Sequence, residues 1–162
     1  FQKINSTDID LVMNLQGDEP LMNIDDIRNL NKQMLKNSSR LGTLASKIQD
    51  KALLENLNVV KVLTKENLNS TNFPEAKNFT RYISEEKENT YHHLGIYCYS
   101  KETLENFVSL NQSANEIKNK LEQLRALDNN IKINVAIAKF APIGVDTIED
   151  LEAVKKIMRH KP

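Results

Sequence analysis

Hydrophobic residues change their spacing repeatedly along the chain, from short apolar or alternating blocks to stripes of helical period. The blocks predict strands at residues 10–16, 41–48, 59–63, 76–80, 91–99 and 131–138. The stripes predict helices at 25–37, at 101–109, from 113 to 127 and from 147 onward. Because strands and helices alternate, the pattern favours an α/β domain built in three layers.

Two of the predicted helices have a recognisable start. Ser113 with Glu116, and Thr147 with Asp150, have the spacing of a capping box, in which the two side chains accept hydrogen bonds from each other's backbone N–H groups. The first of these helices is expected to be continuous. Its apolar stripe comprises Ile117, Leu121, Leu124 and Leu127.

Composition excludes some classes of protein. The 162 residues are 40% hydrophobic and 27% charged, with 22 basic and 22 acidic residues, as in an ordinary globular domain. A net charge near zero argues against a nucleic-acid partner. No apolar run is long enough to span a bilayer, so no membrane partner is expected. Cys98 is the only cysteine, which rules out an internal disulfide and favours the cytoplasm.

The pentapeptide at residues 16–20, Gln-Gly-Asp-Glu-Pro, directly follows the first predicted strand. Open α/β sheets bind ligands just beyond the carboxyl ends of their strands. Gly17 permits a sharp turn or a close approach to a ligand, and Asp18 supplies the hard oxygen that Mg²⁺ prefers. An acidic turn after a strand is also a common helix N-cap, so the segment alone leaves both interpretations open.

Four further segments accompany this turn, and together they resemble a known family. They are Asn-Phe-Thr-Arg at 78–81, His-His-Leu-Gly-Ile-Tyr-Cys-Tyr at 92–99, Leu-Glu-Gln-Leu-Arg at 121–125 and Gly-Val-Asp-Thr at 144–147. In this order and spacing, the five segments resemble the 3-deoxy-manno-octulosonate (KDO) cytidylyltransferases, or CMP-KDO synthetases. The resemblance spans nearly the whole chain.

The resemblance implies a fold and a reaction. The fold would be the three-layer, Rossmann-like α/β fold of nucleotide-diphospho-sugar transferases, with a mixed, mostly parallel sheet. In the reaction, KDO attacks the α-phosphate of CTP, giving CMP-KDO and pyrophosphate for lipopolysaccharide synthesis. The partners would be these two small molecules, and the enzyme would be a cytoplasmic homodimer.

The resemblance also implies roles for particular side chains. Asp18 and Asp146 match the positions that hold Mg²⁺, the expected cofactor, and Arg81 and His93 match catalytic positions near the substrates. The positions expected to contact substrate are Gln16, Arg81, His93, Tyr97, Glu122 and Gln123.

Structural explanations compete with several of these roles. Asp146 before Thr147 could belong to a helix cap, and Glu122 with Arg125 could form a surface i,i+3 pair. His92 and His93 on one strand would face apart, so at most one is expected in the pocket and zinc is not expected. Cys98 is expected to be a buried, unreactive thiol. Tyr97 and Tyr99 could be core aromatics.

The chain also departs from the family pattern. It begins at Phe1, and the resemblance implies a preceding strand and a basic, glycine-containing phosphate loop that residues 1–162 do not include. We therefore expect one domain over 1–162 that lacks its amino-terminal nucleotide-binding segment and first strands, and that alone is inactive or nearly so. His92 in place of arginine and the short loop between Arg81 and His93 are further departures. The alternatives are a cytidylyltransferase for a sialic or pseudaminic type of acid sugar, or a catalytically dead dimerising remnant.

Overall fold

The computed structural model describes residues 9–84, 87–145 and 147–159, in which strands and helices are interspersed along the chain. The described strands are β1 (Leu11–Asn14), β2 (Leu41–Ser46), β3 (Lys61–Thr64), β4 (Ala76–Thr80), β5 (Thr90–Ser100) and β6 (Asn134–Ile137). The described helices are α1 (Ile24–Lys36), α2 (Ala52–Glu55), α3 (Lys101–Ser109), α4 (Ala114–Asn119), α5 (Gln123–Asp128) and α6 (Ile148–Arg159). The predicted α/β class is confirmed.

The strands form one mixed sheet in the order β4-β3-β5-β2-β6, with β1 also paired to β5. β5 runs antiparallel to β1, β2 and β3, and β3 runs antiparallel to β4. Among the described strands only β2 and β6 pair in parallel. The expectation of a mostly parallel sheet is therefore wrong. Parallel neighbours need a crossover of about a dozen residues or more, and the segments joining β3, β4 and β5 are shorter than that.

Helix α1 covers one face of the sheet. Its buried residues Leu30 and Met34 pack against side chains of β2 and β5. The helix approaches so closely because Gly42 in β2 has no side chain. A Cβ there would lie 2.6 Å from Met34 Sδ and 2.8 Å from Phe73 Cζ.

Helices α3, α4 and α5 belong to the opposite face. Phe107 of α3 and Leu124 of α5 join a core with Val62 of β3 and the aromatic rings of Tyr97 and Tyr99 in β5. The sheet thus lies between two helical layers, which confirms the three-layer arrangement.

The segment predicted as one helix over 113–127 is two helices, so that prediction is wrong. The capping box of Ser113 and Glu116 is present and starts α4, but α4 ends at Asn119. Lys120 then adopts a left-handed backbone conformation with φ 53° and ψ 47°, which stops the α-helical hydrogen-bond ladder.

A buried ion pair joins the two halves of this broken helix. Arg125 donates from Nε and Nη2 to the two carboxylate oxygens of Glu116, at 2.8 and 2.5 Å. The guanidinium also lies 4.8 Å from the centre of the Phe107 ring. Hydrogen bonding to Arg125 lowers the pKa of Glu116 to about 2. The guanidinium of Arg125 is therefore bonded to Glu116, and among the described residues it makes no hydrogen bond to the side chain of Glu122.

The second predicted capping box is also present. Thr147 N–H donates to Asp150 Oδ2 at 2.9 Å, and Asp150 N–H donates to Thr147 Oγ1 at 3.2 Å, at the start of α6. Searched over the described ranges, the helices include none with the length and apolar character needed to cross a membrane.

Candidate active site

The candidate site opens where two strands leave a gap along one side of β5. β2 pairs with β5 over residues 92–99, so β1 and β3 must both use the other side. On that side β3 pairs with residues 90–92 and β1 pairs with residues 97–100. Residues 93–96 of β5 are thus left outside both ladders, and the pocket forms at this break in the sheet.

The pocket has a volume of about 600 Å³ and a mostly polar lining. It brings together residues from the five segments that the sequence singled out. The site residues predicted from the sequence that line it are Gln16, Asp18, Arg81, His93, Tyr97, Glu122 and Gln123. Asp146 lies outside the described residues, so its prediction stays open. The shared pocket is a geometric finding, and the role of each residue stays a prediction.

The turn at residues 16–20 forms the wall next to β5. Glu19 Oε1 accepts a hydrogen bond from Gly95 N–H at 3.2 Å, so one of the β5 residues that pair with neither β1 nor β3 has a side-chain partner. The side chain of Gln16 lies directly over Gly95, where a Cβ would stand 2.5 Å from Gln16 Oε1. Gly95 is therefore needed for the Gln16 amide to lie at this depth in the pocket.

The segment after β6 joins the pocket through a backbone hydrogen bond. Val145 N–H donates to the carbonyl oxygen of Asp18 at 2.8 Å, and Gly144 and Thr147 line the same pocket. The residues flanking position 146 therefore meet the 16–20 turn, although the two are far apart in sequence.

His93 lies in the pocket wall in a fixed, uncharged form. Its Nε2 is 2.9 Å from Thr43 Oγ1, and the Thr43 hydroxyl lies 2.6 Å from the carbonyl oxygen of Ile96. Because that carbonyl can only accept, the Thr43 hydroxyl donates to it and accepts from Nε2–H, which leaves Nδ1 of His93 unprotonated. Burial, followed by the neighbouring His92, lowers the pKa of His93 to about 3.

Both histidines border the pocket, so the expectation that at most one would do so is wrong. Their side chains alternate across β5, and the ring of His93 packs edge-on against Phe79. The pocket reaches both residues because it opens at the edge of β5 that is left unpaired between β1 and β3, rather than over one face of the sheet.

Arg81 lines the pocket, but much of its guanidinium is already used. Its Nε, Nη1 and Nη2 donate to the carbonyl oxygens of Asn119, Leu57 and Lys120, at 3.3, 3.0 and 3.1 Å. Three of the five N–H donors of an arginine side chain are thereby bonded to backbone. Arg81 braces the pocket wall, and its predicted contact to substrate would have to use the remaining donors.

Lys61 also supports the pocket wall, from a fully buried position, and it was not among the residues predicted from the sequence. It is 0% exposed, and its Nζ donates to the carbonyl oxygens of Asn56, Val59 and Arg81 at 2.7 to 2.8 Å. Burial and the nearby Arg81 charge lower the pKa of Lys61. The signal in the sequence was a lysine in the middle of an otherwise apolar strand, residues 59–63.

Glu122 and Gln123 reach the pocket from the start of α5. The Gln123 side chain is 7% exposed, lines the pocket and makes no hydrogen bond within the described residues. Its amide is therefore able to pair with a ligand or with water in the pocket. Tyr97 also lines the pocket, and burial raises the pKa of its phenol.

The pocket lining fits a hard divalent cation. It contains the oxygen donors of Asp18, Gln16 and Glu122, and no cysteine is among the lining residues. Mg²⁺ is usually held by one or two carboxylates with waters and substrate phosphates completing its shell. No cluster of three or more histidine, cysteine or acidic residues suited to a metal occurs in the described parts of the chain, and this mode of binding Mg²⁺ requires none.

Cys98 is buried within the core, as expected. Burial raises the pKa of its thiol to about 11, so the thiol is protonated and unreactive at neutral pH.

Two solved structures superpose on this chain. The structure of CMP:2-keto-3-deoxy-manno-octonic acid synthetase complexed with CTP superposes with a TM-score of 0.81 and 30% identity, over 93% of this chain and 62% of that one. The 4-diphosphocytidyl-2C-methyl-D-erythritol synthase of Anaerococcus prevotii has a TM-score of 0.59 at 11% identity and shares the fold alone. The fold is therefore the nucleotidyltransferase fold.

Sequence comparison shows the family. The cytidylyltransferase family model matches residues 1–133. The 3-deoxy-manno-octulosonate cytidylyltransferase of Bartonella tribocorum is 40% identical over 148 residues, which are 91% of this chain and 60% of that protein. The enzyme of the same name from Thermodesulfovibrio yellowstonii is 38% identical over 159 residues, 95% of this chain and 62% of that protein. The chain belongs to the cytidylyltransferase family, and it spans about 60% of the length of these relatives.

Proposed function

We propose that this chain carries the sugar-binding and metal-binding parts of a cytidylyltransferase that activates KDO with CTP, giving CMP-KDO and pyrophosphate. The observation that carries the proposal is the convergence of seven predicted site residues, from separate segments of the chain, on one polar pocket. The names of its relatives and the CTP bound to its structural neighbour support the same reaction.

The proposed reaction is a substitution at phosphorus. The anomeric hydroxyl oxygen of the sugar bonds to the α-phosphorus of CTP, the bond from that phosphorus to the bridging oxygen breaks, pyrophosphate leaves, and the hydroxyl proton is released. Such a reaction depends mainly on positioning and on neutralising charge on phosphate oxygens. Bound Mg²⁺ would supply that neutralisation and acidify the sugar hydroxyl. Asp18 and Asp146 would hold it.

The remaining side chains would orient the sugar. The amides of Gln16 and Gln123 and the carboxylate of Glu122 offer donors and acceptors that match sugar hydroxyls. His93 is uncharged at neutral pH, so its role would be that of a fixed hydrogen-bonding group rather than a counter-charge for phosphate. Tyr97 would close the apolar side of the pocket.

The assay is release of pyrophosphate from CTP and KDO in the presence of Mg²⁺. It is run on the chain itself and on any longer product of the same coding sequence, since the chain spans about 60% of its relatives' length. A panel that replaces KDO with sialic and pseudaminic acids tests the alternative substrates. Robust turnover of one of those sugars, with none of KDO, would overturn the proposed substrate.

Asp18→Asn tests the metal role in the active product. Removing a direct ligand should lower kcat/KM by more than about 100-fold, because loss of even an outer-shell partner commonly costs 10- to 100-fold. Asp10→Asn is the matched control: this exposed aspartate lies ahead of β1 and outside the pocket lining. If the two variants have the same activity, the metal assignment is wrong. Light scattering of the same protein tests the homodimer proposed from the resemblance.

A further inference from the structure

Lys120 occupies an unusual backbone position beside the pocket. It is the C-cap residue that follows α4, with φ 53° and ψ 47°, and its N–H donates to the carbonyl of Glu116. This left-handed conformation is unfavourable for a residue with a side chain and is ordinarily taken by glycine. Lys120 nonetheless lines the pocket, together with the next residues, Leu121, Glu122 and Gln123.

The left-handed turn is held from across the pocket wall. Arg81, directly after β4, donates from Nη2 to the carbonyl of Lys120 and from Nε to the carbonyl of Asn119. The same guanidinium binds the carbonyl of Leu57. The backbone of Lys120 is thus fixed relative to the rest of the pocket. Strained conformations that the surroundings impose in this way are concentrated at functional sites.

Most hydrogen-bond donors of three other cationic side chains at or near the pocket are bonded to the protein. Lys61 Nζ donates to three backbone carbonyls, Arg81 donates to three, and Arg125 forms its ion pair with Glu116. The side chain of Lys120, in contrast, has neither a hydrogen bond nor an ion pair with any residue that the structure describes. An exposed ammonium group at the pocket rim is therefore available to a ligand.

We propose that Lys120 is a substrate-contacting residue, whose ammonium group binds an anionic oxygen group of a ligand in this pocket. The group would be the carboxylate of the acid sugar or a phosphate of the nucleotide. The inference rests on the proposed function. An ammonium group in a pocket that is also lined by the acidic side chains of Asp18 and Glu122 adds positive charge to that of Arg81, most of whose donors are bonded to backbone.

A structural role for Lys120 makes different predictions. A cation at the carboxyl end of α4 would interact favourably with the helix dipole, and Lys120 also borders a smaller groove with Gln112 and Ile117. If the residue served only to end the helix, glycine would serve at least as well at this φ. Lys120→Gly therefore separates the two roles, because it relieves the backbone and removes the charge.

The experiment compares Lys120→Met, Lys120→Gly and Lys120→Arg with the unmodified protein. The control is Lys118→Met, which removes an exposed lysine from the last turn of α4, outside the pocket lining. Dissociation constants for CTP with Mg²⁺ and for KDO are measured separately by calorimetry, with thermal unfolding of each variant. Steady-state KM values are added for the active product.

We expect Lys120→Met and Lys120→Gly to weaken binding of one of the two ligands by about 10-fold or more, the loss of one charge-assisted contact. The affected ligand identifies the anionic group. Lys120→Arg should retain most of the affinity, Lys118→Met should stay within about twofold, and Lys120→Gly should unfold at the same or a higher temperature.

Unchanged affinity for both ligands in Lys120→Met and Lys120→Gly would overturn the inference, while binding by the unmodified protein would leave the proposed function standing. An equal loss in Lys118→Met would also overturn it, because the effect would then be general electrostatics. If neither the chain nor a longer product of the same coding sequence binds or converts CTP and KDO, the proposed function is wrong. This inference is then wrong as well.

Discussion

Replacing Arg125 with methionine should destabilise the protein strongly, because it leaves the buried carboxylate of Glu116 without its cationic partner. Glu116 is 4% exposed, and without Arg125 it would keep only the hydrogen bonds from Gln112 Nε2 and Ser113 N–H. Methionine retains much of the apolar stem that packs near Phe107. The change therefore removes the charge and its two short hydrogen bonds with a limited loss of packing.

The pKa of Glu116 gives the magnitude of this effect. The pKa falls from its ordinary 4.5 to about 2, with the Arg125 hydrogen bonds as the first cause. At about 1.36 kcal/mol per unit, the shift corresponds to roughly 3 kcal/mol in favour of the ionised, paired form. Breaking a buried pair by removing one partner commonly costs about 3–5 kcal/mol. We therefore expect Arg125→Met to lower the free energy of unfolding by about 3 kcal/mol at pH 7.

The sign of the pH dependence provides a second check. Glu116 has a lower pKa when folded than when unfolded, so its stabilising contribution is complete above pH 4.5 and is lost as the pH falls towards 2. In Arg125→Met the unpaired buried carboxyl should instead be protonated readily. The deficit of the variant should therefore be smaller at pH 4 than at pH 7, as measured by urea unfolding at both values.

Arg28→Met is the matched control for this experiment. Arg28 pairs with Asp25 at 3.4 Å on the exposed face of α1, and a surface pair of this kind is worth about 1 kcal/mol or less. The reasoning would be refuted if Arg125→Met cost no more than this control, or if its deficit were as large at pH 4 as at pH 7.

Two further predictions concern packing and a buried histidine. Gly42→Ala should lower the free energy of unfolding, measured in urea, by about 1–3 kcal/mol, because its Cβ would lie 2.6 Å from Met34 Sδ and 2.8 Å from Phe73 Cζ. Gly17→Ala is the control and should change stability little, because no atom lies within 4 Å of the added Cβ. Equal losses of stability in the two variants would contradict the close approach of α1. The pKa of His93 is about 3, below its ordinary 6.5, so the unfolded chain takes up the proton first and stability falls as the pH drops below 6.5. NMR should show no titration of the folded His93 ring between pH 8 and 5. The same group should lower the free energy of unfolding by about 2 kcal/mol between pH 7 and pH 5. A ring that titrates near 6.5 would contradict the assignment of a buried, neutral imidazole.

Local signals were sufficient to predict much of the secondary structure. α3 has the bounds that its sequence pattern predicts, and α1 lies within one residue of its predicted range. Both capping boxes form, because they depend on side chains three residues apart and on the backbone between them. Strand positions were also predicted, but β1, β2 and β6 end before their predicted ranges do, as β1 does at Asn14.

The helix break at Lys120 and the antiparallel sheet were not predicted, because both depend on contacts between residues far apart in sequence. The helix predicted over 113–127 has a continuous apolar stripe, yet it breaks at Lys120, whose carbonyl is held by Arg81 from a distant strand. The antiparallel pairing of β5 with three neighbours depends on connection lengths and on which strands meet, neither of which apolar periodicity shows.

The candidate site was predicted mainly through the family resemblance. The residue types alone left Asp18 as a possible helix cap and Glu122 as a possible partner of Arg125. The structure adds that Arg125 is bonded to Glu116, so the Glu122 carboxylate lines the pocket instead. The use of Thr43 to fix the imidazole of His93 had no local signal, because the two residues lie on neighbouring strands 50 positions apart in sequence.

The distribution of charge around the pocket links its architecture to its chemistry. Lys61 and Arg81 donate to backbone carbonyls in three separate segments, so these two cations build the pocket walls. The acidic groups of Asp18 and Glu122, in contrast, line the cavity itself. A triphosphate and an acid sugar cannot approach such a lining without a counter-charge, because like charges at close range repel strongly in a partly buried site. The proposed roles of Mg²⁺ and of the Lys120 ammonium group therefore have one physical origin: most hydrogen-bond donors of the other cationic side chains near this pocket are bonded to its walls.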